Sequence, residues 1–227
     1  MILGIMGGMG PLATSVFFKK IIELTNAHEE SEHIHIVIDN NTQIPDRTSF
    51  ICSSGEDPRI EMIRSAIKLE VMGADYIAIP CNTAHYFYDD VKKYTKSKIL
   101  HMVYETAVYL RENMNNKEYF LMATKGTYKS NIYRDIFKEY GLKIIEPDDS
   151  DKEIILDWIY GVKVSNFNVS QDEFKRIYSK YIRDRDIPII LGCTELPLLV
   201  KKIGLKGNFT DPTVILAKKC VEIAKKN

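Results

Sequence analysis

Short apolar runs alternate along the chain with longer stretches in which apolar residues recur every three or four positions. The short runs predict β-strands at Ile2 to Met6, Ile34 to Asp39, Tyr76 to Pro80, Glu118 to Met122, Lys143 to Ile145 and Pro188 to Leu191. The longer stretches predict helices with one buried face, at Ala13 to Asn26, Pro58 to Met72, Tyr104 to Asn113, Lys129 to Tyr140 and Gln171 to Arg183. Strands that alternate with helices form parallel sheets covered by helices, so the chain is predicted to be an α/β protein.

The two halves of the chain carry a related pattern. The segments GADYIAIPCNT and RDIPIILGCTE both lead an apolar strand into a cysteine and a threonine. We therefore predict two pseudosymmetric Rossmann-like lobes, each a mainly parallel sheet flanked by helices, with a boundary near Leu100. A terminal helix from Pro212 to Lys226 is long enough to return to the first lobe. The predicted lobes are residues 1–100 plus 212–227, and residues 101–211.

Cys81 and Cys193 end the two related segments. Ligands of open α/β sheets bind beyond the carboxyl ends of the strands, so two facing lobes are expected to bring both thiols to a shared cleft. A position before a helix favours negative charge, and we expect it to lower the pKa of each thiol. Two thiols on opposite faces of one carbon can act as acid and base and invert that carbon. Cys52 and Cys220 lack this context and are predicted to be structural or incidental.

The composition excludes some classes of partner. With 45% hydrophobic and 27% charged residues, the chain has the balance of an ordinary globular protein. Its 31 basic and 31 acidic residues give a net charge of zero, which disfavours binding to nucleic acid or an anionic membrane. No apolar run approaches the ~20 residues of a membrane span, and the histidines lack metal-ligand spacing. Scattered cysteines without a C-x-x-C pair fit a reducing environment, so we expect a cytoplasmic protein without a metal.

A glycine-rich segment, GGMGPLA, follows the first predicted strand. It fits the loose G-x-G-x-x-A pattern, and Asp39 ends the next strand, so a nucleotide-binding dehydrogenase or binding module is an alternative from a different class. The glycines would equally let the backbone approach a small anionic ligand, and Pro11 suits a first helical turn. We assign the loop to a substrate pocket that Met9 and Pro11 line.

Four motifs, MGGMGPLAT, NNTQIPDRT, PCNTAH and GCTELP, occur in this order, and together they resemble the aspartate/glutamate racemase superfamily, most closely its aspartate racemases. The resemblance spans Gly4 to Asp211. It implies an active site between two pseudosymmetric lobes, usually in a homodimer, and cofactor-independent interconversion of L- and D-aspartate, with neither pyridoxal phosphate nor a metal. Cys81 and Cys193 match the two catalytic acid/base cysteines of this superfamily.

The resemblance also suggests residues that bind the substrate, a small dicarboxylic amino acid. Arg47 and Lys163 correspond to the pair that binds the distal carboxylate, which a guanidinium can hold through two hydrogen bonds. The residues after the cysteines offer groups for the α-carboxylate and α-ammonium: Asn82, Thr83, Thr194 and Glu195. The two threonines are also expected to cap helices. Further candidates, from loop position and resemblance, are Asn40, Gln43 and Thr124.

Other activities of the superfamily stay open at this point. They are racemisation of glutamate, racemisation of broad specificity, and isomerisation or decarboxylation of a small dicarboxylate. Glutamate racemases typically place a histidine after the second cysteine, where this chain has Glu195. They also carry an Asp-Ser-Gly segment near the N-terminus, which this chain lacks. Both departures favour aspartate as the substrate.

Overall fold

Two parallel sheets organise the chain, one in each half. The computed structural model describes residues 1–53, 55–164, 169–182, 185 and 187–226, and within these ranges each sheet has four strands. The strands of the first sheet are β1 (Ile2–Gly7), β2 (His35–Asn40), β3 (Tyr76–Ala78) and β4 (Lys98–Leu100), in the order β2-β1-β3-β4. Those of the second are β5 (Glu118–Met122), β6 (Lys143–Ile145), β7 (Ile189–Leu191) and β8 (Phe209–Thr210), in the order β6-β5-β7-β8.

Helices connect the strands and cover the sheets. They are α1 (Pro11–Thr25), α2 (Arg47–Ile51), α3 (Arg59–Val71), α4 (Tyr88–Val91), α5 (Met102–Asn113), α6 (Lys125–Lys129), α7 (Ile132–Glu139), α8 (Asp149–Lys163), α9 (Gln171–Tyr181), α10 (Leu196–Ile203) and α11 (Pro212–Lys226). Arg183, the predicted end of α9, and residue 227 lie outside the described residues. Among the helices that the structure describes, none has the length and apolarity that a membrane span requires.

The predicted α/β class and the repeat are confirmed. Both sheets are wholly parallel and have the same strand order, so β1 to β4 correspond to β5 to β8. Cys81 follows β3, and Cys193 follows β7, the corresponding strand of the other sheet. The repeat therefore places the two cysteines at equivalent positions in the two lobes.

The terminal helix α11 packs against α1 and α5. Its Leu216 and Cys220 are fully buried in one apolar cluster with Leu3 and Phe17 of the first half. Burial of a leucine side chain stabilises a fold by roughly 1.5–3 kcal/mol, so these contacts hold the end of the chain against its beginning. The exact division into residues 1–100 plus 212–227 and residues 101–211 stays a prediction.

The glycine-rich segment between β1 and α1 makes two close approaches. Gly8 has a φ of +90°, and a Cβ built there would lie 2.3 Å from the backbone of Asn41. A Cβ on Gly10 would lie 3.1 Å from the Oε1 atom of Glu195, in the other half of the chain. A side chain at Gly8 would therefore clash with the backbone, which is a physical reason for glycine there. The loop lies between the β2–α2 connection and the start of α10.

Candidate active site

Two adjoining cavities lie where the carboxyl ends of the sheets face each other. Cys81 and Cys193 are both buried and both line the smaller cavity, which we call the thiol chamber. Its volume is about 10 Å³, near the space that a single water needs. Both cysteines thus meet one small enclosed space, as expected from their positions after corresponding strands.

The larger cavity, which we call the vestibule, has a volume of about 440 Å³. Its walls come from the glycine-rich loop and the start of α1, the segment around Arg47, the end of α8, and the segment from Glu195 to Leu198. The side chains that line both cavities are Met9, Asp46, Arg47, Lys163 and Glu195. A ligand that enters through the vestibule would therefore meet charged groups beside the thiols.

The structure brings most of the predicted site residues together. Those that line the thiol chamber are Met9, Arg47, Cys81, Asn82, Thr83, Thr124, Lys163, Cys193, Thr194 and Glu195. Pro11 lines the vestibule. Asn40 and Gln43 are exposed and line neither of these cavities. Asn40 is the last residue of the edge strand β2, and the backbone N–H of Gln43 bonds to Asn41 Oδ1 in the following turn.

The thiol of Cys193 donates a hydrogen bond to the carboxylate of Glu195, with 2.9 Å from Sγ to Oε2. Burial raises the pKa of the Cys193 thiol well above its usual range, and the negative charge of Glu195 raises it further, against a lowering by Lys163. The expectation of a lowered pKa is therefore wrong for Cys193. Although α10 begins nearby, burial and a neighbouring carboxylate outweigh its dipole. Burial and the Glu195 carboxylate therefore favour the protonated thiol of Cys193.

Cys81 is held through its backbone by a buried histidine. The Nδ1–H group of His85 donates to the carbonyl oxygen of Cys81 at 2.9 Å, and the backbone N–H of Met102 donates to His85 Nε2 at 3.0 Å. Burial lowers the pKa of His85, which keeps its imidazole neutral and compatible with these two bonds. The element after Cys81 is a short 3₁₀ helix, Thr83–Phe87. The position of Cys81 thus depends on contacts that tie β3 to the start of α5.

The sequence led us to expect that Thr83 and Thr194 cap helices, but neither threonine does so with its side chain. The Thr83 hydroxyl lies 3.1 Å from the Thr124 hydroxyl and 2.9 Å from that of Thr127, and Thr48 donates to Thr124 at 3.2 Å. The Thr194 hydroxyl donates to Glu195 Oε2 at 3.1 Å. Hydroxyls from the two halves of the chain satisfy one another, so this cluster fastens the lobes together beside the thiol chamber.

Arg47 is almost fully buried, and some of its guanidinium N–H groups donate hydrogen bonds to backbone carbonyls. Its Nη1 donates to the carbonyl oxygens of Ile44 and Pro45 at 3.1 and 2.9 Å, and its Nη2 donates to Met9 at 3.2 Å. Its Nε is buried without a partner in the protein. A guanidinium has five N–H donors, so the remaining ones are available to an anionic ligand. Arg47 also joins the β2–α2 connection to the glycine-rich loop.

Lys163 and Asp46 complete the charged wall of the chamber. Burial lowers the pKa of Lys163, but its electrostatic interactions with Cys193 and Glu195, with smaller effects from Tyr160 and Asp46, raise it overall. Burial raises the pKa of Asp46, but the Ser49 backbone N–H, Lys163 and Arg47 hold it below its usual range. Asp46 is therefore ionised beside two cations. Lys163 can stabilise either a bound carboxylate or negative charge on Cys193.

Residue pattern alone did not reveal several of these contributors. Asp46 and Thr48 flank Arg47 in the PDRT motif, and their proximity in sequence was the available signal. Asn82 has an amide nitrogen that is buried without a partner, while its oxygen accepts a hydrogen bond from Tyr133, on α7. Nothing in the pattern of α7 marks Tyr133. Among the described residues, no group of three or more histidine, cysteine or acidic side chains could hold a metal ion.

This arrangement defines a class of protein: two like α/β lobes with a thiol from each at one chamber that cationic side chains also line. Residues 6–220 match the family described as Asp/Glu/Hydantoin racemase. The chain is 30% identical to the broad-specificity amino-acid racemase RacX of Bacillus subtilis, over 96% of each chain. It is similar to the Picrophilus torridus aspartate racemase, with a TM-score of 0.85, 29% identity, and coverage of 99% of this chain and 94% of that one. A Pyrococcus horikoshii aspartate racemase homologue has a TM-score of 0.77 and 26% identity, with 98% of each chain covered.

The chain belongs to the Asp/Glu/Hydantoin racemase family. It is an isomerase of the racemase type, which decides against the dehydrogenase considered for the glycine-rich segment. That segment instead lines the vestibule.

Proposed function

We propose that the chain interconverts L- and D-aspartate without a cofactor, with Cys81 and Cys193 as the two acid/base groups. The observation that carries this proposal is the burial of both thiols around one chamber, at equivalent strand ends of two pseudosymmetric lobes. Racemisation needs a proton acceptor and a proton donor on opposite faces of the α-carbon. We expect thiols at corresponding strand ends of two facing lobes to meet that requirement.

The reaction conserves protons on the enzyme. The thiolate of one cysteine takes the α-proton, the C–H electron pair moves into the α-carboxylate, and an enediolate forms. The thiol of the other cysteine then protonates the opposite face and becomes the thiolate. Because the Cys193 thiol donates to Glu195 and its burial favours the protonated form, we assign Cys193 as the acid of the first turnover, with Cys81 as the base.

The charged wall of the chamber gives each end of aspartate a counterpart. The free donors of Arg47 and the ammonium of Lys163 suit the distal carboxylate. The carboxylate of Glu195 suits the α-ammonium, and it is already in contact with Cys193. The volume of the chamber, about 10 Å³, is near that of a single water, so the chamber must widen when an amino acid binds.

Replacement of Arg47 by lysine is expected to lower kcat/KM for aspartate about 10-fold, mainly by raising KM. Lysine keeps the positive charge but cannot both hold three backbone carbonyls and present a fork to a carboxylate. Steady-state kinetics followed by chiral chromatography measure this effect. The matched control is Arg64→Lys on the exposed face of α3, where the arginine pairs with Glu61. An unchanged KM in the Arg47 variant would show that Arg47 does not bind the substrate.

A second candidate is racemisation of broad specificity. The vestibule favours it, because apolar groups such as Leu12, Ile44, Val162 and Leu198 line a space beside the charged residues. A longer or apolar side chain could extend there instead of ending at Arg47 and Lys163. The 30% identity to a racemase of broad specificity also agrees with this candidate.

Incubation with L-aspartate in deuterated water, with a reductant and no added cofactor, tests the proposal. We expect the D-form to appear together with deuterium at the α-carbon. Parallel incubations with glutamate, alanine, leucine and maleate compare the alternatives. Turnover of leucine or alanine at rates similar to aspartate would favour the broad-specificity candidate. No change in any of the amino acids would contradict the racemase proposal.

We further propose that the protein acts as a cytoplasmic homodimer. The superfamily resemblance is the support for the dimer. The support for the compartment is the need for reduced thiols, since a disulfide between acid and base would stop proton transfer. Cys52, Cys81, Cys193 and Cys220 are all free thiols.

A further inference from the structure

A hydrogen bond joins the two lobes beside Cys81. The Tyr133 hydroxyl, on α7, lies 2.5 Å from Oδ1 of Asn82, the residue that follows Cys81. Both side chains are at least 98% buried. The contact therefore lies in the interior, where an unsatisfied polar group costs about 1–3 kcal/mol.

The Tyr133 hydroxyl donates this hydrogen bond to the amide oxygen of Asn82. Burial raises the pKa of Tyr133 well above its usual range, so the hydroxyl keeps the proton that it donates. Asn82 then accepts through its oxygen, which turns its amide nitrogen away from Tyr133. That nitrogen is buried and has no partner in the protein, and Asn82 lines the thiol chamber. Buried donors normally have an acceptor, which points to a ligand as the missing one.

We propose that Tyr133 is a positioning residue that fixes the Asn82 amide so that its nitrogen donates to the α-carboxylate of the substrate. This inference rests on the proposed function. Asn82 is adjacent in sequence to Cys81, whereas the distal carboxylate is assigned to Arg47 and Lys163. The reverse amide orientation would place an oxygen against the substrate carboxylate and repel it.

The proposed contact strengthens as the reaction proceeds. Negative charge moves into the α-carboxylate when the α-proton leaves, so a fixed donor stabilises the enediolate more than the bound amino acid. Tyr133 belongs to the second lobe and Asn82 to the first. The orientation of the donor therefore depends on a contact between the two lobes.

A double-mutant cycle tests whether Tyr133 acts through Asn82. We expect Tyr133→Phe to lower kcat/KM about 10-fold in the otherwise unchanged protein, mainly through kcat. In an Asn82→Ala background the same substitution is expected to change kcat/KM less than two-fold, because the group that it positions is gone. Both reaction directions must fall equally, since the equilibrium constant between enantiomers is one.

The matched control is Tyr119→Phe. Tyr119 is fully buried in the same apolar cluster as Tyr133, but its hydroxyl donates to the backbone carbonyl of Asn116 at 3.2 Å. The control removes the same atom from the same cluster and should leave kcat unchanged. Thermal unfolding of all variants separates loss of stability from loss of turnover.

Three outcomes would overturn the inference. They are full activity of Tyr133→Phe, equal losses with and without the Asn82 amide, and a loss of kcat in Tyr119→Phe as large as that in Tyr133→Phe.

If Tyr133→Phe does not fold, Asn82→Asp tests the same orientation, because it keeps an acceptor for Tyr133 and presents an oxygen to the substrate. It should lose more kcat/KM than Asn82→Ala, and wild-type activity would overturn the inference. Absence of racemisation by the unsubstituted protein would instead refute the proposed function.

Discussion

Replacement of either Cys81 or Cys193 by serine is expected to lower the rate of aspartate racemisation about 10²–10⁴-fold. Serine has nearly the size of cysteine, so the chamber is preserved, but its hydroxyl is a far weaker acid. It can neither hold the negative charge of the base nor release the proton of the acid at neutral pH. Chiral chromatography of the product measures the loss, with all variants compared at the same concentration of folded protein.

Exchange with solvent distinguishes two bases from one. Each serine variant keeps one thiol, which faces one side of the α-carbon. Each should therefore exchange the α-proton of one enantiomer in deuterated water while failing to invert it, and the two variants should favour opposite enantiomers. Inversion by both variants at wild-type rates would contradict the two-thiol mechanism.

Cys52→Ser is the matched control for these variants. Cys52 is half-buried at the end of α2 and lines neither the thiol chamber nor the vestibule. The same change of sulfur to oxygen should leave racemisation unchanged there. A loss as large as that of Cys81→Ser would mean that the assay reports general damage to the protein rather than removal of an acid/base group.

Much of the fold follows from local patterns. The runs around β1, β2, β3, β5, β6 and β7 are apolar enough to predict strands, and their alternation with helical periods predicts parallel sheets. The sequence does not predict the strands β4 (KIL) and β8 (FT), although β4 is as long as the predicted strand β6 (KII). They form because β3 and β7 offer them an edge. Tertiary pairing, not local pattern, creates these strands.

Some residues of the candidate site can likewise be predicted from the sequence, and others cannot. The internal repeat alone predicts that Cys81 and Cys193 occupy equivalent positions, because each cysteine follows an apolar run that is recognisable in the sequence as a strand. Arg47 and Lys163 come only from the superfamily resemblance, since an isolated basic residue is usually on the surface. Burial of Arg47 against three backbone carbonyls depends on contact between its own segment and the glycine-rich loop, which no local period records. The partnership of Asn82 with Tyr133 is equally invisible, because it spans 51 residues.

The pKa of Cys193 shows why position in the fold did not settle its chemistry. A site before a helix suggests a stabilised thiolate, but the same site is buried and faces Glu195 at 2.9 Å. Desolvation and a like charge both favour the neutral thiol, and together they outweigh the helix terminus. The sequence contains Glu195, but not the rotamer that directs its carboxylate onto Cys193. The environment of a charge therefore has to be read from the structure.

Replacement of Glu195 by glutamine is expected to change reactivity and activity in opposite directions. Removing the negative charge beside Cys193 lowers the pKa of its thiol from its raised value, so the thiolate forms at lower pH than in the unsubstituted protein. Alkylation of Cys193 by iodoacetamide, followed by mass spectrometry across a pH series, should therefore accelerate at neutral pH. Racemisation should nevertheless fall about 10²-fold in kcat/KM, because the proposed partner of the α-ammonium has lost its charge.

Glu23→Gln is the control for this experiment, since Glu23 pairs with Lys19 on the exposed face of α1. It should alter neither the alkylation profile nor turnover. An unchanged alkylation profile in Glu195→Gln would show that the carboxylate does not hold the proton on Cys193. Faster alkylation with full racemase activity would show that Glu195 raises the pKa of Cys193 but does not bind the substrate. The two measurements thus separate what Glu195 does to the thiol from what it does to the amino acid.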